Sequence, residues 1–185
     1  MLEVRPLGLD RVFEIVPKRF GDERGFFCET YNQARFAAAG IPETFLQDNH
    51  SLSARKGTLR GLHFQTEPFA QAKLVRVLSG AIFDVAVDIR PESPDFGKWV
   101  GLTVSAQKGN QIFVPAGFAH GFVSLEDNTE IAYKVDNYYS SGHDCSAKFD
   151  DPALAIDWPV FDSGYVLSKK DAEAPLLEDL IRRTG

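Results

Sequence analysis

Cysteine is scarce in this chain: Cys28 and Cys145 are the only two in 185 residues. That density excludes a disulfide-stapled scaffold. The two could pair, but two free thiols in a cytoplasmic protein are expected. No apolar run approaches the roughly eighteen residues of a membrane helix. No basic start with an apolar core precedes a cleavage site. A soluble chain without a membrane partner is therefore expected. Positive charge is also short, with 20 Lys and Arg against 26 Asp and Glu, a net charge of -6. That balance argues against nonspecific binding to nucleic acid. Repeats, low-complexity tracts and linkers are absent, so residues 1–185 read as one domain. A chain of this length buries roughly 70% of its unfolded surface without staples.

What the chain does contain is 15 Phe, 15 Gly and 10 Pro, with short apolar runs between turn residues. That pattern predicts an all-β barrel or sandwich with short peripheral helices. The first nineteen residues alternate loosely as edge strands. Residues 20–29 mix Phe20, Phe27, Arg24 and Glu29 around two glycines. Spacing alone makes this a turn and a half-buried strand, although a ring, a cation and an acceptor also suit a nucleotide. Asn32 to Ala39 predicts a short helix closed by Gly40 and Pro42. In the strand from Phe45 to Ser53, alternation puts Gln47, Asn49 and Ser51 on one polar face and Asp48 and His50 on the other. Ala81 to Arg90 is the cleanest strand, with Phe83, Val85, Val87 and Ile89 opposite Asp84, Ala86 and Asp88. One side must pack on a second sheet. If the other lines a cavity, Asp84 could orient an imidazole or a sugar hydroxyl. Glu130 to Tyr139 predicts a strand with Ile131, Tyr133 and Val135 on one face. A tyrosine there is either a core ring or a general acid. The Asp- and Pro-rich segment after Gly142 is expected to cross the surface. A terminal helix follows, with Pro175 in its first turn and an apolar stripe of Leu176, Leu177, Leu180 and Ile181. By position, Asp171 is its N-cap.

Two segments carry histidines in apolar strands, where an uncompensated imidazole is costly to bury. Gly57 to Gly80 holds His63. The second, Gln111 to Phe122, holds His120, where Pro115, Gly117 and His120 make a Pro-x-Gly-x-x-His turn. Together they resemble the paired signatures of cupin barrels. A metal-binding cupin supplies His-x-His and a Glu from the first segment and a further His from the second. Here Gln65 takes the second His position, and the ionisable residue seven before Gly80 is Lys73. An ammonium in place of an anionic ligand opposes a metal yet can itself hold negative charge. A metal-free pocket is expected. Strict alternation groups Leu59, His63 and Gln65 opposite Arg60, Leu62 and Phe64. A bulge at Gly61 would turn Arg60 toward the same cavity as His63.

The ordered motifs FGDERGFFCETYN, QDNHS, GTLRGLHFQ, FVPAGFAHGF, YKVDNYY, DPALAIDWP and LSKKDAEAPLL resemble the dTDP-4-dehydrorhamnose 3,5-epimerase family from about residue 10 to 178. The resemblance implies a cupin-type double-stranded β-helix acting on a dTDP-4-dehydro-6-deoxyhexose without metal or organic cofactor. It makes His63 the base, Asp171 its partner instead of a cap, Lys73 the stabiliser of the enolate oxygen, and Tyr133 the returning acid. Arg60, His120, Gln47, Asn49 and Lys170 become contacts to the sugar and diphosphate. Phe20, Arg24, Phe27 and Glu29 become a nucleotide-binding segment that reaches a neighbouring subunit, which implies a homodimer. One stretch departs from the family pattern. Where members carry an acidic residue and a tryptophan, this chain has His143 to Phe149, which bears on the sugar pocket's rim.

Three other readings compete. A single-carbon epimerase from another deoxysugar pathway shares the fold. A non-catalytic sugar-nucleotide module would not need His63, Asp171, Lys73 and Tyr133 together. A metal-dependent oxygenase would require Gln65 and Lys73 as ligands.

Overall fold

The computed structural model of the chain describes residues 2–184, with side chains through Leu180. In chain order the strands are β1 (Glu3–Pro6), β2 (Phe13–Val16), β3 (Arg19–Asp22) and β4 (Gly25–Cys28). After helix α1 (Gln33–Ala38) come β5 (Gln47–Ser53), β6 (Leu59–Gln65), β7 (Lys73–Ser79), β8 (Ala81–Asp88) and β9 (Trp99–Ser105). Then follow β10 (Gln111–Val114), β11 (Phe118–Ser124), β12 (Thr129–Val135), β13 (Asp144–Ser146), α2 (Lys169–Ala172) and α3 (Leu177–Thr184).

Two antiparallel sheets form the body, ordered β1-β2-β10-β7-β12-β5 and β13-β6-β11-β8-β9. Non-sequential neighbours in both sheets give the cupin-type jelly roll that the paired histidine segments imply. Val75, Ile82, Ala86, Val104, Ile112, Phe118, Phe122 and Ile131 come from both sheets and fill the layer between them. The outer face of the five-stranded sheet packs Leu62, Val85, Val87 and Val123 against Phe149, Leu154, Trp158 and Leu177. The outer face of the six-stranded sheet is partly covered by α1, where Phe36 meets Leu74 and Phe113. Asn32 caps α1 by accepting the Arg35 N–H at 3.2 Å, and Gly40 follows with φ +93°, as the sequence predicts.

Several expectations change. β2 is paired on both sides, so only β1 of that pair is an edge strand. β3 and β4 form a separate ribbon, and Phe20, Phe26 and Phe27 are 54%, 63% and 70% exposed, so this is no half-buried strand. In β8 the apolar side faces the C-terminal segment, and it is the Ile82 and Ala86 side that meets the second sheet. β12 stops at Val135. The segment after Gly142 does more than cross the surface. β13 pairs with β6, Ala147 and Trp158 are buried, and the Trp158 indole N–H donates to the Phe149 carbonyl at 2.9 Å. Its polar Asp-Cys-Ser strand carries no alternation to betray it.

The predicted terminal helix is two helices. Pro175 lacks the N–H that would continue α2, and the chain restarts at Leu177. Leu177 and Leu180 pack on the core, whereas Leu176 is exposed. Ile181 lies outside the described side chains.

Candidate active site

The bulge at Gly61 builds the site. Across β11 and β6, His120 pairs with His63 but Phe122 pairs with Arg60, so β6 carries one extra residue. Gly61 has φ +128°, and a Cβ there would lie 2.5 Å from the Gly121 Cα and 2.8 Å from the His120 carbonyl oxygen. No other residue fits that approach. Strict alternation therefore fails in β6. Leu59 joins Leu62 and Phe64 on the outer face, while Arg60, His63 and Gln65 all line one cavity between the sheets.

The cavity is about 370 Å³. Its five-stranded wall carries Arg60, His63 and His120, and its six-stranded wall carries Gln47, Asn49, Lys73 and Tyr133. The β5 alternation holds, since Asp48 and His50 lie on the sheet's outer side. Lys170 and Asp171 enter from α2.

His63 Nε2 lies 2.6 Å from Asp171 Oδ1. Asp171 is not an N-cap. Ser168 caps α2, its hydroxyl accepting the Asp171 backbone N–H at 3.1 Å and donating to Asp171 Oδ2 at 2.7 Å. Burial alone would raise the Asp171 carboxyl, but hydrogen bonds from His63, Ser168 and the Gly61 backbone hold it below the usual carboxylate range. A carboxylate can only accept, so Nε2 is the donor in this contact, and Nδ1 is the nitrogen left to act as a base.

A second pair stands on the adjacent strand. His120 Nε2 is 2.9 Å from both carboxylate oxygens of Asp84, which is fully buried. Lys73 donates to the His63 carbonyl at 3.2 Å, and desolvation lowers its ammonium to about 8 against the favourable charges of Asp84 and Asp144. Tyr133 is raised chiefly by burial, so its hydroxyl keeps its proton at neutral pH. Arg60 is held by the Leu52 carbonyl at 3.0 Å.

Not every candidate meets this cavity. Phe20, Arg24 and Phe27 lie on the exposed ribbon, where Arg24 pairs with Asp22, and Glu29 pairs with Arg35 at 2.9 Å. None of the four lines the cavity of its own chain. Conversely, Ser51, Gln65, Tyr139, Asp144 and Ser168 line it without having been assigned roles. Asp144 accepts from Lys170 at 2.5 Å and from the Tyr139 hydroxyl at 3.2 Å, so the atypical 143–149 stretch still places a carboxylate at the rim. Alternation signalled two of these, Ser51 on the polar face of β5 and Gln65 on the His63 face of β6. Among the described residues, no group of three or more His, Cys, Asp or Glu side chains could hold a metal ion. Cys28 and Cys145 are unpaired, and no described helix is long and apolar enough to cross a membrane.

The family model for dTDP-4-dehydrorhamnose 3,5-epimerase matches residues 6–179. The chain is 52% identical over 174 residues to the protein of that name from Sinorhizobium fredii, covering 94% of this chain and 89% of the relative. It is 51% identical to the Escherichia coli protein of the same name, with 94% of each covered. A crystal structure of dTDP-6-deoxy-D-glucose-3,5-epimerase from Legionella pneumophila, in complex with dTDP-4-keto-L-rhamnose, superposes with a TM-score of 0.92 at 46% identity. That match covers 96% of this chain and 94% of the other. The chain belongs to the dTDP-4-dehydrorhamnose 3,5-epimerase family of isomerases.

Proposed function

We propose that this chain inverts C3 and C5 of dTDP-4-dehydro-6-deoxy-D-glucose on the way to dTDP-L-rhamnose, acting as one domain in a cytoplasmic homodimer. The observation that carries this reading is the His63–Asp171 pair, 2.6 Å apart, at a cavity whose opposite wall holds Tyr133. The C4 ketone acidifies the hydrogens on both neighbouring carbons. Inversion needs a base on one face, an acid on the other, and a cation for the enolate oxygen between the two steps.

His63 takes the proton through Nδ1, because Asp171 occupies Nε2. Asp171 fixes that tautomer and stabilises the imidazolium that forms. Lys73 holds the enolate oxygen, and Tyr133 returns a proton from the facing sheet. Arg60, His120, Gln47, Asn49 and Lys170 hold the sugar and diphosphate. A cavity of about 370 Å³ suits a sugar ring with part of its diphosphate. The nucleotide then extends toward the rim. There the exposed ribbon of a second copy, with Phe20, Arg24 and Phe27, and the Glu29 that follows it supply rings and charge. That none of the four lines its own chain's cavity, and that Phe20, Arg24 and Phe27 are exposed, supports that assignment.

NMR of dTDP-4-dehydro-6-deoxyglucose with the protein in D₂O tests the reading. Deuterium is expected at both C3 and C5. His63→Ala should slow both exchanges by about 10³-fold, within the range of a positioned base. Label at one carbon only would convert the assignment to a single-site epimerase. No exchange with the ligand still bound would overturn catalysis.

A further inference from the structure

The β3–β4 ribbon stands apart from both sheets. It pairs with no other described strand, and a two-stranded hairpin by itself is marginal in water. Its register sorts the side chains onto two faces. Phe20 lies opposite Phe27, so these two rings share one face, whereas Arg19 opposite Cys28 and Gly21 opposite Phe26 share the other. The rings assigned to the nucleotide are therefore on the side of the ribbon away from Arg19 and Phe26.

That second face is tied down by one side chain. Arg19 Nη1 donates to the Gln107 carbonyl at 2.7 Å and Nη2 to the Ala106 carbonyl at 2.5 Å. Its Cζ also lies over the Phe26 ring, 4.5 Å from the centroid. Among the described residues, no other side chain of the ribbon hydrogen-bonds outside it, since Arg24 turns back to Asp22. The loop that receives Arg19 is itself well braced. Asn110 is 2% exposed, and its Oδ1 accepts the Ser105 N–H at 3.1 Å. Its Nδ2 donates to Glu14 at 2.8 Å and to the Thr103 carbonyl at 3.0 Å, so a buried amide with every partner in place holds the loop rigid. Gly109, at φ +67°, leaves the space that the guanidinium occupies, because a Cβ there would lie 2.5 Å from the Arg19 Cζ. A planar fork that reaches two successive carbonyls and stacks on a ring fills a role that a lysine ammonium cannot.

We infer that Arg19 is a positioning residue for nucleotide binding: it fastens the back of the ribbon to the body of its own chain and so holds Phe20 and Phe27 ready for the nucleotide in a second copy's cavity. The inference rests on the reading of the ribbon as the nucleotide-binding segment.

The test compares wild type, Arg19→Met, Arg19→Lys and Phe27→Ala by dTDP calorimetry, by deuterium exchange into dTDP-4-dehydro-6-deoxyglucose and by size-exclusion chromatography. Arg19→Met should weaken dTDP about tenfold, the cost of ordering two aromatic side chains on binding instead of beforehand, and raise KM in proportion. At saturation kcat should stay within about twofold, because the residues of the cavity are untouched. Arg19→Lys keeps the charge but loses the fork and the stack, so it should resemble Arg19→Met. Full affinity in Arg19→Lys would show that the cation acts through charge alone and would overturn the inference. A changed oligomeric state in Arg19→Met would overturn it too, by marking a role in assembly. Unchanged dTDP affinity in Arg19→Met, where Phe27→Ala weakens binding, would refute the positioning role and leave the ribbon's assignment standing. If Phe27→Ala binds dTDP as tightly as wild type, that assignment falls and the inference with it, so the two failures are distinct.

Discussion

The cavity holds two histidine–carboxylate pairs on neighbouring strands, with His63 directly across from His120. They share chemistry and differ in what is left free. The His120 side chain is 9% exposed and the His63 side chain 33%. Asp84 comes from the centre of β8 and offers both oxygens to one nitrogen, so the pair is closed on itself. Asp171 comes from a four-residue helix, gives one oxygen to His63 and the other to Ser168. The first arrangement suits a fixed hydrogen-bonding group in a wall. The second suits a base, because a loaded carboxylate stands behind an imidazole that still faces open space. Exposure and the number of free sites, more than residue type, separate the roles.

The sharpest way to break the comparison is to neutralise each carboxylate in turn. Asp171→Asn should lower kcat by about 10³-fold while the fold persists, because an amide no longer compensates the imidazolium and permits the wrong tautomer. Single-turnover exchange in D₂O would show it. If Asp171→Asn costs no more than Asp84→Asn, the two pairs are equivalent and the distinction between them fails.

Asp84→Asn should act mainly through Lys73. Lys73 is held at about 8 by burial, with Asp84 foremost among the charges that oppose the drop. The alkaline limb of activity is therefore expected near pH 8 in the wild type and at lower pH in Asp84→Asn, with about a tenfold loss at neutral pH. Stability should move the other way. The folded Lys73 value lies below the unfolded one of roughly 10.4, so between the two the unfolded chain binds more protons and stability rises with pH. Activity that falls from pH 8 upward without a fall in melting temperature would locate the limb at this ammonium. An unmoved limb in Asp84→Asn would separate the buried pair from Lys73.

Much of this was legible in the strands and less in the connections. β5 and β8 showed their two faces because alternation is a backbone property of an extended chain. Arg60 joined His63 for a reason the sequence does hold, a glycine inside a strand, although only the pairing with β11 says where the extra residue sits. Asp144 and Ser146 belong to a three-residue strand whose existence depends on an edge presented by a distant segment. Asp171 was ambiguous by nature. Ser168 caps a four-residue helix and bonds reciprocally with Asp171 inside it, and local rules cannot reveal that the Asp171 carboxylate also faces an imidazole 108 positions earlier.

That reciprocity gives the smallest and most discriminating expectation. Ser168→Ala removes the cap of α2 and the partner of Asp171 Oδ2, but it leaves the 2.6 Å contact to His63 chemically possible. Loss of the cap should cost about 1 kcal/mol of stability. The effect on kcat should be only about fivefold, roughly 1 kcal/mol and the net scale of one ordinary hydrogen bond. Losing that bond also lets the Asp171 carboxyl rise toward the usual range, since Ser168 is one of the groups holding it down. The loss of activity should consequently grow as the solution is made more acidic, which a pH series comparing Ser168→Ala with wild type would detect. A loss independent of pH would mean that Ser168 serves the helix alone, and that the open pair owes its readiness to exposure and not to its second hydrogen bond.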